Sequence, residues 1–233
     1  MKATIYSHKL KIGTAELKPG DVSMGHVYGV FSPNEDYYRD TQKQVWKINN
    51  SRGDWSTLRF NVQLENGCFL YAAGGITIDD MEDVPGEPLQ IDVVGVDSWV
   101  LNDFFTENPR MFVEEPWEPL EIMQKISHEK ELDLELGDTV KKERSFFDFF
   151  KSKPQPHILS GSEFFALCRH QGNDDVLFRI EKYGAESMVA VVHLTWIAKT
   201  ERLHLGYPAT TIYKDFDDFK FNRMRKDTVD WYE

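Results

Sequence analysis

The sequence predicts an α+β fold of two small domains, each a mainly antiparallel sheet with one or two helices, joined by a partly helical connector. Three observations lead to this prediction. The chain has 233 residues, which is enough for two domains of ordinary size. It is 41% hydrophobic and 13% aromatic, so both domains can build a core. Dissimilar strand-rich segments flank an acidic, proline-marked stretch, which divides the chain into residues 1–113, 114–160 and 161–233.

Strand patterns dominate the first domain. Residues 3–6 and 10–17 predict a hairpin around a turn at Ser7 to Lys9. Residues 57–64 show the cleanest alternation of apolar and polar side chains in the chain. The Asn-Gly pair after them suits a tight turn, so a return strand is expected at residues 68–73. Further strands are predicted at residues 25–31, 76–78 and 89–96.

Two helices are predicted in the same domain. The apolar positions of residues 34–50 are spaced for an amphipathic helix. Asp97 or Ser98 can cap a second, short helix that carries Trp99 and Phe104. Strands and helices together make this domain α+β.

The connector contains helix-like spacing at residues 120–126 and an apolar patch formed by Phe146, Phe147, Phe149 and Phe150. We expect the patch to pack on one of the domains, with residues 151–156 as the hinge, because the two prolines there cannot extend a helix. The alternative is that the patch docks on a partner or on a membrane surface.

The second domain is predicted as a small antiparallel sheet closed by a helix. Its strands are expected at residues 163–169, 176–182 and 187–196. Residues 215–225 place Phe216, Phe219 and Met224 roughly on one helical face, which predicts a final helix that covers the sheet.

Charge bears on the class of partner. The chain holds 27 basic and 39 acidic residues, a formal net charge of −12, which repels the phosphate backbone and disfavours nucleic acid as a ligand. The acids concentrate in one turn-rich stretch: Asp79, Asp80, Glu82, Asp83 and Glu87. A basic protein could dock on these five residues. The alternative is a solvated loop whose charges keep the protein soluble.

The compartment expected from the sequence is a reducing cytoplasm. The first residues lack the apolar stretch of a secretion signal, and no apolar run approaches the length needed to span a bilayer, so no membrane partner is predicted. The only cysteines, Cys68 and Cys168, supply no disulfide framework, and each lies in an apolar context typical of a small buried side chain.

One set of residues could carry catalysis. A hydrolase-like enzyme could use His193 with Asp174 or Asp175 in a cleft between the domains, with Cys168 as the nucleophile. Against this, His193 lies in an apolar strand, and nothing around Cys168 is typical of a lowered thiol pKa. No metal or cofactor is predicted, because the histidines lack the spacing of zinc ligands and the glycines lack the spacing of a phosphate loop.

Both halves of the chain resemble uncharacterised families of small bacterial domains. The resemblance of the second half rests on residues 174–178, 189–196, 207–208 and 216–224. That of the first half rests on residues 13–15, 21, 23–29 and 91–96. Domains of this kind are similar to those found as accessory or immunity proteins beside polymorphic toxins. The resemblance implies a context beside toxins and carries no active site with it. Together with the acidic surface, this context leads us to expect a protein that neutralises a toxin by covering a basic surface.

Overall fold

Two antiparallel sheets with flanking helices make up the described part of the chain, which confirms the predicted α+β class. The structure is a computed structural model that describes residues 1–51, 53–84, 87–137, 157–182, 186–197 and 206–233. The chain divides into two compact units, Met1–Phe112 and Val113–Glu233.

The first unit is built on a six-stranded sheet. Its strands are β1 (Lys2–Ser7), β2 (Leu10–Pro19), β3 (Val27–Pro33), β4 (Phe60–Leu64), β5 (Gly75–Asp79) and β6 (Gln90–Val94). They lie in the order β4-β1-β2-β3-β6-β5, and every neighbouring pair is antiparallel. Inward-facing residues of these strands, such as Ile5, Val27 and Ile91, are fully buried. The alternation read from the sequence therefore reports the buried face of this sheet.

Two α-helices belong to the first unit, α1 (Gln42–Ser51) and α2 (Ser98–Phe104). A π-helical turn, Tyr37–Thr41, leads into α1 and buries Tyr37 completely. The inward face of α1 buries Val45 and Ile48, as its amphipathic pattern predicts.

The return strand expected at residues 68–73 does not form. Only an isolated bridge joins Phe69 to Gln63. Cys68, Phe69 and Leu70 are consecutive and all buried, whereas a strand on one face of a sheet buries every second residue. The segment therefore enters the core as irregular chain, fixed by single bonds such as Leu70 N–H to the Val62 carbonyl at 2.8 Å.

A five-stranded sheet organises the second unit. Its strands are β7 (Trp117–Pro119), β8 (Glu163–His170), β9 (Asp175–Glu181), β10 (Met188–His193) and β11 (Ala209–Tyr213), in the order β11-β10-β9-β8-β7. The three central strands match the predicted ones. The edge strands β7 and β11 were not predicted, and β7 lies within residues 114–160, the range interpreted as a connector.

In the described ranges of the second unit, the α-helices are α3 (Ile122–Leu136), α4 (Phe216–Phe219) and α5 (Arg225–Tyr232). A π-helical turn, Lys220–Met224, joins α4 to α5, so the final helical segment continues beyond the predicted residue 225. The aromatic patch at Phe146 to Phe150 lies outside the described residues.

The final helical segment ties the start of this unit to its end. Phe219 contacts Trp117 with ring centroids 4.9 Å apart, and Tyr213 at 5.8 Å, so it touches both edge strands. Trp117 Nε1 donates to Asp227 Oδ2 at 2.8 Å. Thr228 donates to the Glu115 carbonyl. Residues 115–119 are therefore held by the C-terminal helix of their own unit.

We predict that Trp117→Phe lowers the free energy of unfolding of the second unit by about 1–3 kcal/mol, because the phenyl ring keeps most of the packing but leaves Asp227 without its indole donor. Urea denaturation with hydrogen exchange of α5 amides measures the change. Trp55→Phe is the control, since that half-buried indole packs on Phe60 in the first unit. Equal losses in the two variants would contradict the role given to the Trp117 hydrogen bond.

Candidate functional site

The acidic stretch predicted to bind a partner forms an exposed loop between β5 and β6. We call the described residues 79–84 and 87 the acidic loop. Asp79, Glu82, Asp83 and Glu87 are all exposed. Between the acids, Met81 and Val84 are 46% and 52% exposed. The loop thus presents apolar and acidic groups together.

Asp80 differs from its four acidic neighbours because it is buried. Only 5% of the residue is exposed, and its carboxylate accepts three side-chain hydrogen bonds. The donors are Tyr37 Oη at 2.6 Å, Gln42 Nε2 at 3.0 Å and Trp46 Nε1 at 2.9 Å. Asn49 Nδ2 also donates to the Asp80 carbonyl at 2.8 Å. Asp80 therefore anchors the acidic loop to the helix α1 and is not part of the surface that a partner would meet.

A signal for this anchor exists in the sequence. Side chains two residues apart in an extended chain point to the same face, which places Ile76, Ile78 and Asp80 together along β5 and just past its end. Ile78 faces the core. Gln42, Trp46 and Asn49 are spaced by four and three residues, so they lie on one face of α1. Extending the alternation of buried and exposed positions past the end of the strand would have distinguished the buried Asp80 from the exposed acids.

The network raises the pKa of Tyr37 far above its ordinary value. Burial is the main cause, because the phenolate would lose its hydration. The hydrogen bond to Asp80 and the charge of that carboxylate act in the same direction. Tyr37 therefore stays a hydrogen-bond donor to the anchor throughout the neutral range.

The proposed catalytic residues of the second unit are only partly brought together. His193 Nδ1 lies 2.8 Å from Asp175 Oδ1, and the imidazole is 44% exposed. Arg223 binds the other carboxylate oxygen at 2.8 Å and also binds Asp227. Asp175 thus belongs to a line of alternating charges that continues through Asp227 to the Trp117 indole, which the sequence did not reveal.

Cys168 is separated from this pair. It is fully buried on β8, opposite Leu177 of β9, while His193 lies on β10 opposite Asp175. Two strand spacings make about 10 Å, beyond hydrogen-bond reach. Asp174 has a different partner, since its carboxylate accepts a hydrogen bond from Trp196 Nε1 at 2.9 Å. The structure therefore contains the histidine and carboxylate of the hydrolase hypothesis without a thiol that they could activate.

Two further observations concern ligands and membranes. Within the described ranges, no group of three or more His, Cys, Asp or Glu side chains is arranged to hold a metal ion. In the same parts of the chain, no helix combines the length and the apolar character needed to cross a membrane.

Comparison with known proteins adds no relative. No protein-family model, curated protein or solved structure matches the chain. Functional inference therefore depends on the geometry of the two units.

We predict that Asp80→Ala lowers the free energy of unfolding of the first unit by about 3 kcal/mol or more, because three donors are left without their acceptor. Thermal and urea denaturation measure the loss. Asp83→Ala, at an exposed position of the same loop, is the matched control and should change stability by less than about 0.5 kcal/mol. A similar, small effect of both substitutions would show that Asp80 does not anchor the loop.

We predict that the raised pKa of Tyr37 makes the first unit less stable at alkaline pH. In the unfolded chain its hydroxyl ionises near pH 10, whereas in the folded unit its pKa is raised. As the pH rises above about 10, the unfolded chain therefore releases this proton first, and the free energy of unfolding falls by up to about 1.4 kcal/mol per pH unit.

The variant Tyr37→Phe should lose this part of the pH dependence. Urea denaturation at a series of pH values between about 9 and 11 measures the slopes of both proteins. Tyr213, whose pKa is also raised by burial, is present in both, so the difference isolates Tyr37. Parallel curves for wild type and variant would refute the assignment.

Proposed function

We propose that this protein binds a basic protein partner through the acidic loop, and that the partner is a toxin which the chain neutralises as an immunity protein. One observation carries the proposal: four exposed acids surround two exposed apolar side chains on a loop that is anchored from below by the buried Asp80. The expectation, from the sequence alone, that both halves resemble domains found beside polymorphic toxins suggests a toxin as the partner.

The two kinds of side chain on the loop have separate physical roles. Carboxylates that face a basic surface speed the encounter and select against acidic proteins, yet exposed charge pairs add little to affinity. Met81 and Val84 supply apolar area that becomes buried in a complex, and this term slows dissociation. A loop with both groups suits recognition of a basic surface that has an apolar centre.

The anchor supports the proposal because it fixes the loop before a partner arrives. A flexible loop loses conformational entropy on binding, and this cost subtracts from affinity. The bonds from Asp80 to Tyr37, Gln42 and Trp46 hold one end of the loop against α1 in the free protein. Binding then orders less of the chain.

The proposed mechanism is occlusion. A toxin that acts on a polyanion such as nucleic acid needs a basic surface, and a bound acidic loop would cover it. The chain would meet its partner in the cytoplasm. The overall formal charge of −12 would assist the encounter at low ionic strength.

We predict that simultaneous replacement of Asp79, Glu82, Asp83 and Glu87 by lysine weakens partner binding and removes most of its salt dependence. The melting temperature should remain nearly unchanged, because all four side chains are exposed. We expect a toxin gene beside the gene of this chain. The measurement is binding of the toxin domain that such a gene encodes, by titration calorimetry at low and high salt, together with rescue of growth when the two are co-expressed.

The matched control replaces four exposed acids of the second unit with lysine, at Glu163, Glu186, Asp230 and Glu233. It changes the net charge by the same amount without touching the acidic loop. Equal weakening of binding by both variants would show that the effect comes from the overall charge of the chain and not from the acidic loop. Binding that survives replacement of the loop acids would dispose of the proposed surface.

A further inference from the structure

The second unit contains a cavity of about 400 Å³ that the proposed partner surface does not use. The N-terminal half of α3 forms one wall with Met123, Gln124 and His128. The end of β8 and the turn into β9 form the other wall with Arg169 and Asp174, and Trp196 closes the side. All of these residues belong to one unit.

Trp196 is held in an unusual position. Its backbone φ is +55°, in the left-handed region that a large side chain rarely adopts. The buried carboxylate of Glu135 on α3 stabilises this turn, since its Oε1 accepts from Trp196 N at 3.0 Å and from Thr195 N at 2.6 Å. A backbone conformation of this kind costs free energy and is frequent at binding sites. Here it directs the indole to the cavity.

Two contacts fix the orientation of the Trp196 indole. Its Nε1 donates to Asp174 at 2.9 Å, and its rings meet the imidazole of His128 with centroids 5.3 Å apart. Nevertheless, 46% of Trp196 is exposed. A π surface next to a carboxylate is therefore presented to solvent in a fixed arrangement.

The charges around the cavity leave one carboxylate uncompensated. Arg169 is neutralised by Glu118, whose Oε1 accepts from Nε at 2.7 Å. Asp175 is paired with Arg223 and His193. In the ranges that the structure describes, no Lys, Arg or His side chain forms an ion pair with Asp174.

His128 adds no positive charge to the cavity. Burial is the main cause that lowers its pKa below the ordinary value, so the imidazole is neutral at neutral pH. Nδ1 lies against the Gln124 carbonyl, which only accepts, so Nδ1 carries the proton. The cavity thus combines an aromatic face with net negative charge.

We infer that this cavity binds a cationic group on an apolar stem, such as the guanidinium of an arginine side chain. The cation would lie over the Trp196 indole and beside the Asp174 carboxylate, while its stem contacts the exposed Met123. Cations are attracted to the face of an indole and to a carboxylate, and both attractions act here on one group. The inference concerns the second unit and does not depend on the acidic loop.

The test uses ¹⁵N spectra of the indole N–H groups of the full chain. The Trp196 signal, assigned with Trp196→Phe, is expected to shift on titration with N-acetyl-arginine amide. N-acetyl-citrulline amide has nearly the same shape without the charge, and it should bind about tenfold more weakly because it loses both the cation-π contact and the ion pair. Agmatine carries the same guanidinium and stem without the peptide groups, so it tests whether those groups are needed, and binding of either ligand supports the inference.

Asp174→Asn keeps an oxygen for the indole N–H and removes the charge, so it should reduce arginine binding by a similar factor while the Trp196 signal stays dispersed. Asp230→Asn, at an exposed position of α5, is the matched control and should bind as wild type does. Equal binding of arginine and citrulline ligands, or no shift of the Trp196 signal with any cation, would overturn the inference. The ligand comparison is made on the wild-type chain, and Trp196→Phe serves only to assign the Trp196 signal.

Discussion

A carboxylate can be buried in a protein only where hydrogen-bond donors replace its lost hydration, and each unit depends on such a group. In the first unit, Asp80 collects the donors of Tyr37, Gln42 and Trp46 and so fixes the acidic loop to α1. In the second, Glu135 binds the backbone that positions Trp196. Both carboxylates lie where irregular chain must be held against a helix. The two surfaces proposed to bind ligands, the acidic loop and the Trp196 cavity, are held in place by these two buried carboxylates.

This arrangement separates stability from recognition within short stretches of chain. Asp79 and Asp80 are adjacent, yet one is exposed and the other buried, because successive side chains of an extended segment point to opposite sides. Asp174 and Asp175 repeat the pattern: the first borders the cavity and binds Trp196, and the second forms an ion pair with Arg223 and a hydrogen bond with His193. A residue of each pair can therefore meet a ligand while its neighbour maintains the fold.

Local patterns predicted the strands that bury one face and the helices that bury one stripe. They failed for buried chain that is irregular or very short, although β9 and β10, which are buried at consecutive positions, were found from their apolar runs. Residues 68–70 are all buried and form no strand, while β7 is too short to show any alternation. The network from His193 to Trp117 joins positions more than 70 residues apart. Spacing along the chain could indicate the pair of Arg223 and Asp227, which are four residues apart, but it carries no information about the contacts of this pair with Asp175 and Trp117.

The sequence by itself determined the α+β class, the central strands of both sheets and the net negative charge, because these follow from composition and from short-range periodicity. Only the tertiary structure decided that Glu135 anchors the turn at Trp196, that Cys168 lies away from His193, and that Trp196 and Asp174 share a cavity. Those properties depend on how distant segments pack, since burial and hydrogen bonding are set by neighbours in space.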